Sequence, residues 1–296
     1  MMAHTRFGIV PALVLAGVVV GIGPSIRPAE GAEARAVTER VFPLQSGGEL
    51  TIESQNGRIT VEAWNRPQAR IQITRIVRAN EEKRAQELLK EVQADVSVLP
   101  ERISIKSRYP KRTENVGLWD VLGQRVTSMN IHYYVQVPID TDLILQTSNG
   151  DLQIKGTSGD IDGQTVNGGI EVRSVSGPVD VSTTNGNIRL ASVGGEMHAE
   201  TTNGDVAAEL MQVGQEVELT TTNGDVKVFL PGAAKAEIDA STTNGRVRVG
   251  YPIQREGGST ARTLHGRIGG GGGPTLLLRT TNGNIVVDRS DHAKGD

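Results

Sequence analysis

The sequence predicts an all-β protein: a β-solenoid with about 18 residues and two strands in each coil, preceded by a small α+β cap. Two observations predict it. The dipeptide Asn-Gly occurs eight times, and the four copies from Asn149 to Asn203 are spaced 18 residues apart. Aliphatic and polar residues alternate on either side of these copies, as in strands with one buried face. Self-similarity at a short fixed period is the signature of a repeat fold.

Residues 1–34 are expected to be a signal peptide. Arg6 precedes an apolar run from Phe7 to Gly23, and Ala32-Glu33-Ala34 supplies the small-x-small pattern of a signal-peptidase site. We therefore expect export of a mature chain that begins near Arg35. The apolar run is long for a signal peptide, so an uncleaved membrane anchor is the alternative.

Residues 35–137 are expected to form a strand and helix region that caps the solenoid, because an uncovered end invites pairing with other chains. It contains one isolated copy of the repeat at Asn56-Gly57. A helix from Glu81 to Gln93, with Asn80 as its N-cap, is predicted from its single apolar face. Strands are predicted at Arg70–Val77, Asp95–Leu99, Arg102–Lys106 and Ile131–Val137.

Residues 138–290 are expected to form the repeat domain. Weaker glycine turns, such as Ser176-Gly177, lie midway between the Asn-Gly copies, so each coil has two strands. Asn-Gly between strands also favours a hairpin, and hence an antiparallel meander. A single open sheet would then exceed the usual limit of about 10 strands and leave its apolar side uncovered. Coiling covers that side and stacks like residues on like, so we predict a solenoid.

Two loops are expected to interrupt the strands, at Lys111–Met129 and Gly250–Pro274. The 38 residues from Asn244 to Asn282 correspond to about two coils. Residues 291–296 are expected to form a disordered tail.

Composition excludes several classes of function. The net charge of -3 provides no basic field for nucleic acid. The chain has no cysteine, which excludes disulfides, thiol chemistry and cysteine-based zinc sites. It also has no phosphate loop, dinucleotide fingerprint or hydrolase motif. We expect no catalytic residue, no metal and no cofactor.

Several motifs together carry a family resemblance. They are the repeated T-T-N-G-(D/N/R)-(I/V), V-P-x-x-T-D-L at Val137–Leu143, F-L-P-G at Phe229–Gly232, and a closing pattern from Gly266 to Gly283. Over about residues 40 to 288 the chain resembles a bacterial family of domains of unknown function named "putative adhesin". The resemblance implies an exported, β-helix-like, non-catalytic protein, and it brings no catalytic residues.

Three carboxylates lie two residues after an Asn: Asp151, Asp205 and Asp225. The last two should be neighbours on successive coils, where paired carboxylates could hold a cation or act as a glycosidase pair. Their simpler interpretation is as ordinary turn residues, because Gly169, Asn187, Arg246 and Asn284 fill the equivalent places. A calcium β-roll is not expected, since its G-G-x-G-x-D nonapeptide is missing.

Outward positions supply the candidate interaction surface. An acidic row is predicted from Asp162, Asp180, His198, Glu218 and Asp239, with Glu200 beside it. The opposite strands carry Lys155, Arg173, Arg189, Lys227 and Arg248, mixed with Glu171 and Glu209. Stacked like charges repel, so the acidic row is either a screened, solvated surface or a site for a cationic partner or divalent ions. Trp119 is the hydrophobic contact candidate, unless its loop folds over the solenoid end. His132 and His265 have no evident metal-ligand partners.

These features predict an exported, non-catalytic protein of the cell envelope, an adhesin-like scaffold in the periplasm, on the cell surface or secreted. Its expected partner is an envelope protein or a surface polymer, with no nucleic acid, and with membrane contact only through an uncleaved N-terminal segment. The alternative is a glycan-binding or glycan-cleaving β-helix. The scarcity of aromatic rings in the coils, on which sugars usually stack, counts against it.

Overall fold

The computed structural model describes residues 32–110, 126–270 and 272–290. This part of the chain contains 23 strands and one helix, α1 (Glu82–Glu91). The first strands are β1 (Ala32–Pro43), β2 (Glu49–Glu53), β3 (Ile59–Trp64), β4 (Gln68–Ala79), β5 (Gln93–Leu99), β6 (Arg102–Arg108) and β7 (Val126–Pro138). The others are β8 (Asp142–Asn149), β9 (Leu152–Lys155), β10 (Ile161–Asn167), β11 (Ile170–Val175), β12 (Val179–Asn185), β13 (Ile188–Val193), β14 (Met197–Asn203), β15 (Val206–Leu210), β16 (Val217–Asn223), β17 (Val226–Leu230), β18 (Ala236–Asn244), β19 (Val247–Val249), β20 (Ile253–Arg255), β21 (Thr263–Ile268), β22 (Thr275–Asn282) and β23 (Ile285–Arg289).

The strands form two sheets. Sheet A has the order β1-β4-β7-β3-β9-β11-β13-β15-β17-β23-β19, and sheet B the order β20-β21-β18-β22-β16-β14-β12-β10-β8-β2-β6-β5. Within the repeat, neighbours are parallel and equivalent residues lie opposite each other, as Thr165 and Thr183 do. The prediction of an all-β fold with long parallel sheets is confirmed, and the antiparallel meander is excluded for the repeat.

The core lies between the two sheets. In β12, for example, Val179, Val181 and Thr183 are buried, whereas the alternate residues face outward. The same pattern recurs from strand to strand, so that one continuous aliphatic core fills the stack. This continuity explains why a chain with few aromatic residues can bury enough apolar surface to fold.

Each Asn-Gly forms a corner that joins a strand of sheet B to one of sheet A. The asparagine side chains make a ladder, in which Asn185 Nδ2 donates to Asn167 Oδ1 at 2.8 Å and Asn203 Nδ2 donates to Asn185 Oδ1 at 2.9 Å. The buried threonine two residues earlier donates to the glycine carbonyl of the preceding coil, as Thr183 does to Gly168 at 3.0 Å. These bonds satisfy polar groups that the corner would otherwise bury unpaired.

Glycine is needed at the corner because the coils approach closely. A Cβ atom on Gly186 would lie 2.0 Å from the carbonyl oxygen of Gly168. The backbone at Gly150, Gly168 and Gly186 is outside the positive-φ region, so a left-handed conformation is not the reason for glycine at these positions.

The coils at both ends are not stacked in chain order. In sheet B, β22 lies between β16 and β18, and β2 lies between β8 and β6. The 38 residues from Asn244 to Asn282 therefore do not add two coils, as we predicted from their number. They include β20 and β21, which are antiparallel and cover the outer edge of β18. The predicted loop at Gly250–Pro274 thus contains two strands.

Antiparallel strands dominate the N-terminal region. Strands β1, β4 and β7 continue sheet A, and β5 and β6 continue sheet B. The helix has Glu81, not Asn80, at its N-cap position, and no side chain caps it. Its buried residues, Ala85 and Leu88, belong to the same core as the strands.

Tyr109 ends the corner stack on this side. Its hydroxyl donates to the Asn56 carbonyl at 2.8 Å and accepts from the Asn56 N–H at 3.2 Å.

Within the described residues, no helix is long and apolar enough to span a membrane. Of the predicted signal peptide, only Ala32–Ala34 is described, and these residues belong to β1. Trp119 and the tail at 291–296 lie outside the described residues.

Candidate functional site

An open groove of about 510 Å³ crosses the outer face of sheet B over β8, β10, β12 and β14. Amide and hydroxyl side chains form most of its lining: Gln146, Ser148, Gln164, Ser182, Thr184 and Thr202. Glu53 and Glu200 add carboxylates. Thr147 also borders the groove, and its buried Oγ1 has no hydrogen-bond partner in the described structure. The groove therefore offers many hydrogen-bonding groups and little apolar surface.

The predicted acidic row runs beside this groove, but it is not uniformly acidic. Asp162 lies opposite Asp180, and Asp180 lies opposite His198. His198 Nδ1 is 3.3 Å from Glu218 Oε2. Histidine therefore separates two of the carboxylates that the sequence places in one stack.

The far end of the row is interrupted and compensated. Leu277 of β22 lies between Glu218 and Asp239, because the last coil is inserted there. Asp239 receives two charged hydrogen bonds from Arg279, at 2.8 and 2.9 Å, and His265 Nδ1 lies 3.2 Å from it. The guanidinium of Arg279 lowers the pKa of Asp239.

Three carboxylates remain without a cationic partner among the described residues: Asp162, Asp180 and Glu200, on the adjacent strands β10, β12 and β14. Asp162 accepts a neutral hydrogen bond from Gln164 at 3.2 Å. Asp180 and Glu200 are exposed. Negative charge on sheet B is therefore concentrated in this patch, which we call the carboxylate patch.

The basic side chains of sheet A occupy two rows instead of one. Glu171 lies opposite Arg189, whereas Arg173 lies opposite Ala191. Glu171 also forms an ion pair with Arg173. In neighbouring coils Phe229 lies opposite Glu209. The predicted mainly basic surface is thus divided by apolar and acidic residues.

Asp205 and Asp225 are neighbours on successive coils, as predicted. The Asp225 backbone N–H donates to Asp205 Oδ1 at 2.9 Å, and Lys227 Nζ lies 3.5 Å from a carboxylate oxygen of each. Asp225 Oδ1 in turn accepts from the Asn284 N–H at 2.8 Å, which holds the pKa of Asp225 below its usual value. A general acid needs the opposite shift, so this pair lacks the tuning of a glycosidase acid.

The two carboxylates belong to a second ladder that the sequence analysis missed. Asn187 Oδ1 accepts from the Asp205 N–H at 2.9 Å, and Asp151 Oδ1 accepts from the Gly169 N–H at 3.0 Å. Asp and Asn exchange at this position because each offers one Oδ1 to the next coil. That exchange was the available signal, although we interpreted it as ordinary turn chemistry.

His132 lies at the edge of the repeat, where its Nδ1 accepts from the Arg58 N–H at 3.0 Å. Partial burial lowers its pKa. Within the described chain, no three His, Asp or Glu side chains are grouped closely enough to hold a metal ion.

Comparison with known proteins gives one family. The family described as Toastrack DUF4097 matches residues 42–288. No curated protein is significantly similar to the chain. A "putative adhesin" from Bacteroides fragilis is 13% identical, with a TM-score of 0.36, and the match covers 90% of this chain and 100% of that one.

Two further solved structures are similarly distant. A "putative cell adhesion protein" from Clostridium sporogenes is 10% identical, with a TM-score of 0.36 and coverage of 86% and 100%. A "putative lipid binding protein" from Parabacteroides distasonis is 11% identical, with a TM-score of 0.28 and coverage of 86% and 97%. Since the family pattern spans the whole described repeat and most of the N-terminal region, this chain belongs to the Toastrack DUF4097 family.

Proposed function

We propose that the chain is an exported, non-catalytic scaffold of the bacterial cell envelope that binds an extended, positively charged partner on sheet B. The observation that carries this proposal is the carboxylate patch beside the open groove. In-register strands place the Asp162 and Asp180 backbones about 4.8 Å apart, and a cationic partner would offset the repulsion between their side chains.

The rest of the molecule acts as a support in this proposal. Residues 1–34 direct export, the stacked coils of about 18 residues hold the groove rigid, and α1 with the antiparallel N-terminal strands closes one end. The absence of catalysis is supported by Asp205 and Asp225, whose carboxylates are engaged by backbone N–H groups and by Lys227.

Binding to isolated envelope fragments of the source bacterium tests the proposal. The variant Asp162→Asn/Asp180→Asn/Glu200→Gln removes the carboxylate patch. A matched control, Glu171→Gln/Glu209→Gln/Asp288→Asn, removes the same charge from outward positions of sheet A. We expect co-sedimentation to fall with added salt and to be lost only in the first variant. Equal binding by the two variants would rule out sheet B as the docking face.

A glycan ligand is the second candidate, and the amide and hydroxyl lining of the groove favours it. Sugar hydroxyls would pair with Gln164 and Thr184, without the aromatic stacking that glycan sites usually provide. Purified envelope glycan strands are the probe in this case. Binding that resists salt and is lost in Gln164→Ala/Thr184→Ala, but not in the carboxylate variant, would replace the first proposal with this one.

A further inference from the structure

We propose that Asn244-Gly245 is a site of spontaneous deamidation in the folded protein, and that stacking protects the other Asn-Gly corners. In this reaction the backbone nitrogen of the glycine attacks the Cγ atom of the asparagine. Ammonia leaves, a succinimide ring forms, and water opens it to aspartate or isoaspartate. Asparagine is a thermolabile residue, and glycine after it leaves the attacking nitrogen unhindered. A chain with eight Asn-Gly pairs therefore needs protection.

Corners inside the stack keep the attacking nitrogen engaged. The Gly168 N–H donates to the Asn185 carbonyl at 3.0 Å, and the Gly186 N–H donates to the Asn203 carbonyl at 3.0 Å. The side-chain amide is also fixed, because each asparagine donates to one neighbour and accepts from the other. Attack at these corners requires breaking the glycine bond and turning the side chain out of its ladder.

The two ends of the stack differ because every glycine N–H points toward the same end. At the N-terminal end, the Gly57 N–H still has an acceptor, the Asn149 carbonyl at 2.8 Å. The hydroxyl of Tyr109 holds both backbone groups of Asn56. The first corner is therefore protected although it ends the ladder.

At the other end, the stack stops at Asn244. Its Nδ2 donates to Asn282 Oδ1 at 2.8 Å, but among the described residues no donor reaches its own Oδ1 and no acceptor lies on the Gly245 N–H. The strand that covers this coil bonds on either side of the corner: Arg262 accepts from Thr242, and Ala261 accepts from Val247. The corner itself is left out, so nucleophile and side chain are both less constrained than elsewhere.

Modification would loosen the last coil. Aspartate at 244 loses the donor to Asn282 and places a carboxylate beside its Oδ1. Isoaspartate adds a backbone atom where a Cβ on Gly245 would already lie 1.8 Å from the Gly283 carbonyl oxygen. The reaction would therefore change the C-terminal end of the stack slowly, without an enzyme.

Peptide mapping after incubation in mildly alkaline buffer tests the proposal. Trypsin releases residues 236–246 with Asn244, 174–189 with Asn185 and 280–289 with Asn282, each carrying one Asn-Gly. The denatured chain gives the intrinsic rate of each site. We expect the 236–246 peptide to deamidate in the folded protein within a few-fold of that rate. The two control peptides should be slowed by at least about tenfold, the value for two lost hydrogen bonds of about 1 kcal/mol each.

Two results would overturn the inference. One is slowing of the 236–246 peptide to the same extent as the controls, which would mean that the covering strand protects the last corner. The other is deamidation of Asn185 in the folded chain at its denatured rate, which would mean that stacking protects nothing.

Discussion

Asp225 Oδ1 accepts a hydrogen bond of 2.8 Å from the backbone N–H of Asn284, although the two residues are 59 positions apart in the chain. The bond places the coil of β22 and β23 directly on the coil of β16 and β17. It also shows that the residue two positions after the corner asparagine links one coil to the next. Stability and coil order can both be tested from this relationship.

Replacing Asp225 by alanine should lower the free energy of unfolding by about 1–2 kcal/mol, because the Asn284 N–H loses its acceptor. The conservative Asp225→Asn should cost less, since it keeps an Oδ1 atom and Asn187 already performs this role between other coils. Urea denaturation followed by circular dichroism measures both variants. Equal losses would show that charge, and not the acceptor, is what matters.

The same pair of proteins gives a pH test. The pKa of Asp225 is lowered in the folded state, so ionisation stabilises the fold at neutral pH, and this contribution is lost as the pH falls. The difference in unfolding free energy between wild type and Asp225→Asn should therefore shrink below the usual carboxyl pKa of 3.8. A difference that is constant with pH would contradict the assigned hydrogen bond.

Gly186→Ala should be strongly destabilising, by about 3 kcal/mol or more, because its Cβ would overlap the Gly168 carbonyl. Gly214→Ala is the matched control: a Cβ there has no atom within 4 Å, and the backbone is not in the positive-φ region. We expect the control to unfold at the wild-type temperature or slightly above it. Thermal denaturation compares the two, and a mild effect at Gly186 would mean that the coils can separate without cost.

The repeat was predictable from sequence because each corner uses the same three groups. Threonine bonds the preceding coil, asparagine continues a ladder, and glycine permits close approach, so all three must recur in register. The order of the end coils was not predictable for the same reason. A coil with T-T-N-G fits equally well on any other, and nothing local to Asn282 distinguishes Asn223 from Asn244 as its neighbour.

The candidate surface was predictable only in part. Outward positions were identified correctly from period-two alternation, as for Asp162 and Asp180. Their compensation depends on which coil is adjacent. Arg279 reaches Asp239 across 40 residues only because β22 is inserted beside β18. The carboxylate patch therefore emerges from topology and could not be separated from the rest of the row by sequence alone.

Two neighbouring asparagines should respond differently to the same substitution. Asn185→Asp removes the donor to Asn167 and sets a carboxylate against its Oδ1, so we expect a loss of about 1–2 kcal/mol. Asn187→Asp keeps the acceptor for the Asp205 N–H, and aspartate already occupies this position in other coils, so little change is expected.

Lowering the pH distinguishes the mechanism in Asn185→Asp. Repulsion by Asn167 Oδ1 should raise the pKa of the new carboxyl in the folded state, so its protonated form is the better tolerated one. The variant should regain stability relative to wild type as the pH falls through that raised value. Denaturation at several pH values measures this, and equal losses for the 185 and 187 variants would remove the distinction between the two ladders.

Disulfide cross-linking tests the coil order directly, because the natural chain has no cysteine. Glu218 and Leu277 are outward neighbours on adjacent parallel strands, so their Cα atoms should be about 4.8 Å apart, within the range for a disulfide. Glu218 and Asp239 are separated by β22, at about twice that distance, beyond the limit of about 7 Å. Mild oxidation of Glu218→Cys/Leu277→Cys should therefore give an intramolecular cross-link, and Glu218→Cys/Asp239→Cys should give little, as measured by mass after thiol blocking. Preferential cross-linking of the second pair would mean that the coils follow chain order, and Asp225 could not then be the acceptor for Asn284.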